Sequence, residues 1–199
     1  MSRRLIAALA VTLGLFGVSA AQAAVLVYGA YLVGTNEVPA NSSFGTGVGI
    51  ITFDNIAQTL QVDITFSGLT GTTTASHIHC CAPVGTNGGV ATQVPTFFGF
   101  PLGVTSGSYS QVFDLTQAST YNPTFVTNHG GTVASAESDF LAGLVGGQTY
   151  LNIHTSAFPG GEIRGQIGLV PEPQAWALMI VGFGLVGTTL RRRRGAFVA

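Results

Sequence analysis

No lysine occurs in this 199-residue chain, and charged side chains make up only 8% of it. Six of its seven basic residues, all arginines, crowd at the two ends. Between residues 24 and 173 Arg164 is the single strong base against eight carboxylates, a net charge of −7. A nucleic-acid surface needs clustered bases to displace counterions, so DNA and RNA are excluded as partners. Long helix formers are scarce, which argues against a helical protein. The scattered acids lack the spacing of a calcium loop, and no internal repeat is present. Scarce charge would also suit a disordered chain, but the Phe, Ile, Leu and Val content is enough for a core. What is abundant is Gly, Thr, Ser, Val and Phe, the material of pleated strands and tight turns.

The ends are set aside before the fold is read. Met1-Ser2-Arg3-Arg4, an apolar run from Leu5 to Val18 and the small-residue pattern Ala21-Gln22-Ala23 predict a secretory signal peptide over 1–23. The apolar run is too short for a retained membrane helix, and the mature chain is expected to begin near Ala24. At the other end, Pro171-Glu172-Pro173 precedes an uncharged run from Gln174 to Leu190 and then Arg191, Arg192, Arg193 and Arg194. The run, at ~1.5 Å per residue, spans roughly 25 Å, near the short limit of a transmembrane helix. The arginines mark its cytoplasmic end, so the preceding domain faces outward; residues 195–199 form a short tail.

Val170-Pro171-Glu172-Pro173, then Trp176-Ala177, a Gly-containing apolar helix and an Arg cluster resemble the PEP-CTERM sorting signal over 170–194. That resemblance implies an exosortase in the inner membrane that processes the tail at Pro-Glu-Pro and passes the protein outward. It further implies a Gram-negative bacterium making exopolysaccharide, with secretion machinery and a polysaccharide or matrix protein as partners. The simpler alternative is a permanent single-span anchor.

About 150 residues remain between the ends, the size of one domain. Strands are predicted at Val25–Val33, Gly47–Phe53 and Leu60–Phe66, the last two joined by a turn at Asp54-Asn55. Ser76–His79 reads as a short strand entering a Gly-rich loop that runs to Pro95. Phe97–Val104, Tyr109–Leu115 and Thr124–Thr127 are weaker strand candidates. One helix is expected over Ser135–Leu144, capped by Ser135 and stopped by Gly146-Gly147. Tyr150–Thr155 and Glu162–Leu169 complete an all-β domain, a single β-sandwich or barrel with one short helix.

His77 and His79 stand two apart on one strand and so share a face. His154 lies on another strand, on the face of Tyr150 and Asn152. If those strands are neighbours, three imidazoles converge as a zinc or copper site, with Cys80 and Cys81 as further soft ligands. Equally, the rings can hydrogen-bond to loop backbone and hold the Gly-rich turn. For the cysteines the options are a vicinal Cys80–Cys81 disulfide, a thiol pair on a metal, or an intermolecular bridge, with the disulfide favoured in an oxidising periplasm. No nucleophile motif surrounds them, so no catalytic residue is assigned and an enzyme is not expected. His129 reads as a turn residue. Glu162 and Arg164 share a strand face and are expected to pair with each other or with loop backbone.

Ala75-Ser76-His77-Ile78-His79, Tyr150–Thr155 and Phe158-Pro159-Gly160-Gly161-Glu162-Ile163-Arg164-Gly165-Gln166-Ile167 resemble the CHRD domain, named after chordin. Gly34-Thr35-Asn36-Glu37-Val38-Pro39-Ala40 fits that family's opening, and the domain is placed at 24–169. The resemblance implies a sandwich or barrel like those of immunoglobulins or copper/zinc superoxide dismutase, in a secreted protein without established catalytic activity. Many members carry Gly after the His-x-His, where Cys80-Cys81 stands here. Four histidines are too few for the dismutase sites. The expected function is therefore an exported, non-enzymatic structural or binding protein of the envelope or matrix, with copper or zinc binding as the alternative.

Overall fold

The computed structural model describes residues 25–171 together with Ile180 and Phe183. The expected signal peptide, Glu172, Pro173, Trp176, the four terminal arginines, nearly all of 174–190 and the 195–199 tail lie outside the described residues; Pro171 is exposed at their edge. Among the described residues no helix is long and apolar enough to cross a membrane.

In chain order the elements are β1 (Val25–Val33), β2 (Thr46–Asp54), β3 (Thr59–Ser67), β4 (Thr73–Cys80), β5 (Gly89–Val90) and β6 (Gly107–Asp114), then α1 (Pro123–Asn128) and α2 (Val133–Val145), then β7 (Thr149–Thr155), β8 (Ile163–Gln166) and β9 (Gly168–Leu169). The strands form one antiparallel sheet in the order β5-β4-β7-β8-β1-β2-β3-β6, with β9 paired to β1. The sheet curls into a half-barrel. Its curl is visible at Gly49 on β2, where a Cβ would lie 2.6 Å from the Leu151 side chain of β7, a strand three places away in the sheet.

Period-two alternation dictates the inner face. Leu60, Val62, Ile64 and Phe66 of β3 are all buried, while Gln61, Asp63 and Thr65 turn outward. The β2–β3 turn forms where expected, because the Asp54 carboxylate accepts from the amides of Ile56 (2.8 Å) and Ala57 (2.9 Å). Ile78, Leu151, Ile153 and Ile163 supply the inner face of the other half, each fully buried. Each such side chain stabilises the fold by about 1.5–3 kcal/mol relative to exposure.

Four sequence expectations are corrected. Thr124–Thr127 is helical: Asn122 accepts from the Thr124 amide (3.0 Å) as N-cap, and Pro123 opens α1 with its fixed φ. Phe97–Val104 is a loop whose apolar character comes from anchoring, since buried Phe97 and Phe100 stack on Tyr109 and Phe66. The α2 helix starts at Val133, capped by Thr132 rather than Ser135. Ser135 Oγ instead accepts from the Thr132 amide (3.2 Å), closing a capping box. The expected 162–169 strand also divides, its first part pairing with β7 and its last with β1.

Candidate functional site

β4 and β7 are direct neighbours, with His77 opposite Asn152, His79 opposite Tyr150 and Ala75 opposite His154. Arg164 of β8 stands opposite Asn152 in turn. These residues occupy the sheet face turned away from Ile78, Leu151 and Ile153. That face is polar, yet His77, His79, Tyr150, Asn152 and Arg164 are each under 10% exposed. Three loops supply the partners that cover it: the one after β1 with Glu37, the one after β4 up to Pro95, and the Pro159-Gly160-Gly161 turn.

The three imidazoles come together. One ligating nitrogen from each of His77, His79 and His154 lies within 4.8 Å of the others. Each ring spends its other nitrogen on a loop carbonyl: His77 Nε2 on Pro95 (2.7 Å), His79 Nδ1 on Gly88 (2.9 Å) and His154 Nδ1 on Pro159 (2.8 Å). A carbonyl oxygen only accepts, so these nitrogens carry the protons and the tautomer of every ring is fixed. The remaining nitrogens, His77 Nδ1, His79 Nε2 and His154 Nε2, are buried and have no protein partner. An orphaned buried acceptor costs about 1–3 kcal/mol. Desolvation, with smaller contributions from neighbouring positive charge, holds His77 and His79 down at about 4, and burial lowers His154 as well. At neutral pH the rings are uncharged and their lone pairs are available.

A second layer surrounds the rings. Tyr150 stacks on His79 with centroids 4.5 Å apart, and its hydroxyl accepts from the Gly88 amide at 3.2 Å, bracing the loop that holds His79. The Arg164 guanidinium lies 3.4 Å over the Tyr150 ring and donates to Asn87 Oδ1 (3.0 Å) and the Thr86 carbonyl (2.7 Å). Asn152 donates to Glu37 Oε1 (2.7 Å). Burial raises Glu37 to about 7, partly offset by Arg164 and by the Asn152 hydrogen bond. Sequence reasoning placed no role on Glu37 or Asn87. Both are loop residues far from their partners in the chain, and Glu37's only signal was its place in the family-like opening segment.

A family model described as the CHRD domain matches residues 28–167. This chain belongs to the CHRD family. No curated protein and no solved structure matches the chain. The CHRD-like segments singled out in the sequence converge on this one face: Ala75–His79 lies in β4, Tyr150–Thr155 is all but one residue of β7, Phe158–Ile167 holds the turn and β8, and Glu37 belongs to the Gly34–Ala40 loop.

Glu162 in the CHRD closing segment has its own task. Its carboxylate accepts from Ser43 Oγ (2.6 Å), Thr155 Oγ1 (2.6 Å), the Gly71 amide (3.1 Å) and the Thr70 amide. Burial pushes this group up, but the four hydrogen bonds outweigh it and hold the pKa below the usual carboxylate value. Glu162 and Arg164 therefore bind separate loops rather than each other. His129 caps the C-terminus of α1 and pairs with Asp139 (2.8 Å), away from the other three histidines.

The Cys80 and Cys81 sulfurs are joined at 1.99 Å. Cys80 alternates with His79 and so turns to the inner face, where it is buried in the core. Cys81 adopts φ 74°, and the disulfide packs against Gly143 of α2. Neither sulfur is a thiolate, and neither belongs to the histidine group, which corrects the expectation of cysteine ligands. A cavity of about 530 Å³ lined by Phe97, Phe98 and Tyr121 touches none of the three histidines.

Proposed function

We propose that the protein is an exported, non-enzymatic CHRD domain that acts as a structural or binding element of the envelope or extracellular polysaccharide matrix. The observation that carries this reading is the CHRD match over 28–167, because such domains suit secreted binding and structural roles. The curled antiparallel sheet suits the barrel-like form expected of the immunoglobulin or dismutase type. A closed polar face and sulfurs tied in a disulfide favour binding over catalysis. The net charge of −7 between residues 24 and 173 leaves nucleic acid out as a partner.

In this reading export begins with the 1–23 signal, and the apolar 174–190 run anchors the chain transiently in the inner membrane, facing the periplasm. An exosortase then processes the tail at Pro171-Glu172-Pro173, and the domain reaches the surface or the matrix. The test is fractionation of cells expressing the full chain, with the C-terminal mass of the released protein read by mass spectrometry. Release of a species ending near the Pro-Glu-Pro motif, blocked in a Pro171→Ala/Pro173→Ala variant, is expected. An intact tail retained in the inner membrane, equal in both proteins, overturns the sorting part; a chain confined to the cytoplasm overturns the whole.

A further inference from the structure

The export reading leaves one feature without a role. His77, His79 and His154 each keep one buried ring nitrogen with no protein partner, and the same three rings bring one ligating nitrogen apiece within 4.8 Å of the others. Each ring has been set for this by its other nitrogen, which donates to the carbonyl of Pro95, Gly88 or Pro159. A water molecule has two hydrogens and so satisfies two of the three acceptors. Lysine, whose ammonium has three, does not occur in the chain. A metal cation satisfies all three lone pairs at once.

We infer that His77 Nδ1, His79 Nε2 and His154 Nε2 form a binding site for a single first-row transition ion of the zinc or copper kind. Imidazole is a borderline donor that suits these ions, and with no carboxylate or thiolate in the group, calcium, magnesium and thiophilic clusters are disfavoured. The histidine-to-carbonyl hydrogen bonds are the outer-shell pattern that orients metal-binding imidazoles elsewhere. Tetrahedral ligands at ~2.05 Å stand roughly 3.3 Å apart. One ligating nitrogen from each ring lies within 4.8 Å of the others, so tilting of the rings closes the remaining gap. Three protein ligands leave a fourth position for water or an outside ligand. His154, the half-buried member, marks the side from which the ion enters.

The site does not depend on the sorting proposal, since it rests on described residues within the domain. The test uses the protein as the cells export it, whether or not its tail has been cut, stripped with a chelator, dialysed, and titrated separately with Zn²⁺ and with Cu²⁺. One tightly held ion per chain is expected by elemental analysis after desalting, with nitrogen hyperfine structure in the Cu²⁺ spin-resonance spectrum. His154→Gln and His79→Gln should each weaken binding by ~100-fold or more, whereas His129→Gln should not change it. Far-UV circular dichroism of the metal-free variants establishes that they are folded. Should His79→Gln unfold, the half-buried His154→Gln carries the comparison. Substoichiometric binding by the stripped native protein overturns the site, as does unchanged affinity in a folded His154→Gln variant. Correct sorting of a protein that binds no metal removes this inference alone.

Discussion

Glu162→Gln is the perturbation that most directly tests how the CHRD closing segment works. The carboxylate is fully buried and its two oxygens take four donors. An amide of the same shape replaces one oxygen with a donor. The least costly orientation places that NH₂ toward Thr155, whose hydroxyl can accept, and leaves the Gly71 amide unpartnered. One orphaned buried amide costs about 1–3 kcal/mol. The other oxygen keeps Ser43 and Thr70, but those hydrogen bonds lose their charge assistance, about 1 kcal/mol each. The expected loss is therefore about 3–5 kcal/mol, a fall in Tm of roughly 6–20 °C for a domain of this size. Urea and thermal unfolding in chelator-containing buffer measure it. Acid supplies an independent check. The native carboxyl titrates below its ordinary 4.5, so its contribution is complete above that pH and disappears as pH falls through the folded value. The gap between native protein and variant should narrow below pH 4.5. A loss under about 1 kcal/mol, or a gap that stays constant into strong acid, refutes the account of Glu162 as the ionised tie between four chain segments.

Glu37 has the opposite sign. Its folded value of about 7 lies above the ordinary 4.5, so the unfolded chain gives up its proton first and stability falls as pH rises between the two. Arg164, Asn152 and Tyr150 face it, and Glu37→Gln keeps the Asn152 contact without the charge. The variant should therefore gain on the native protein by up to about 3 kcal/mol between pH 4.5 and 8, read from paired urea titrations; a pH-independent difference counts against a buried carboxylate. Gly143→Ala should lose about 1 kcal/mol despite better helix propensity, because its Cβ would lie 2.5 Å from Cys80 Sγ. In a Cys80→Ala/Cys81→Ala background the same change should become neutral or stabilising, and equal losses in both backgrounds would show that the disulfide is not the obstacle. Asn122→Ala should cost about 1 kcal/mol through the lost cap of α1, measured the same way.

What was legible in the sequence was what repeats over short distances. The alternation of Leu60, Val62, Ile64 and Phe66, the Asp54 turn and the spacing of His77 and His79 each depend on neighbours a few residues away. Thr124–Thr127 misled because a β-branched run was weighed without Asn122-Pro123, the cap that turns the chain into a helix. Phe97–Val104 misled because buried aromatics look alike in a strand and in an anchored loop. Glu37 on Asn152, and Arg164 on Asn87, join residues more than seventy positions apart. No local pattern signals such pairs; only the placement of β4, β7 and β8 side by side does.

The histidines show why two sequence readings stood as rivals. One had the rings hydrogen-bonding to loop backbone to hold a turn; the other had them meeting as metal ligands. An imidazole has two nitrogens, and in this fold the first reading accounts for only one of them. His77, His79 and His154 each donate to a loop carbonyl, and that act fixes the tautomer that frees the other lone pair. Had any ring used both nitrogens on backbone, the cluster would be closed to a ligand. Had any used neither, its orientation would be unspecified. The structural hydrogen bonds and the converging acceptors are thus one arrangement, and the loops after β4 and β7 act as its outer shell. A backbone change that withdraws one of those carbonyls should weaken ion binding without touching a ligand. For His154 the nearest lever is Glu162→Gln, since Glu162 and Thr155 tie down the turn that presents the Pro159 carbonyl. Zn²⁺ affinity should fall in that variant by roughly tenfold while one ion per chain is still held, and an unchanged affinity would mean that the turn does not position the ring.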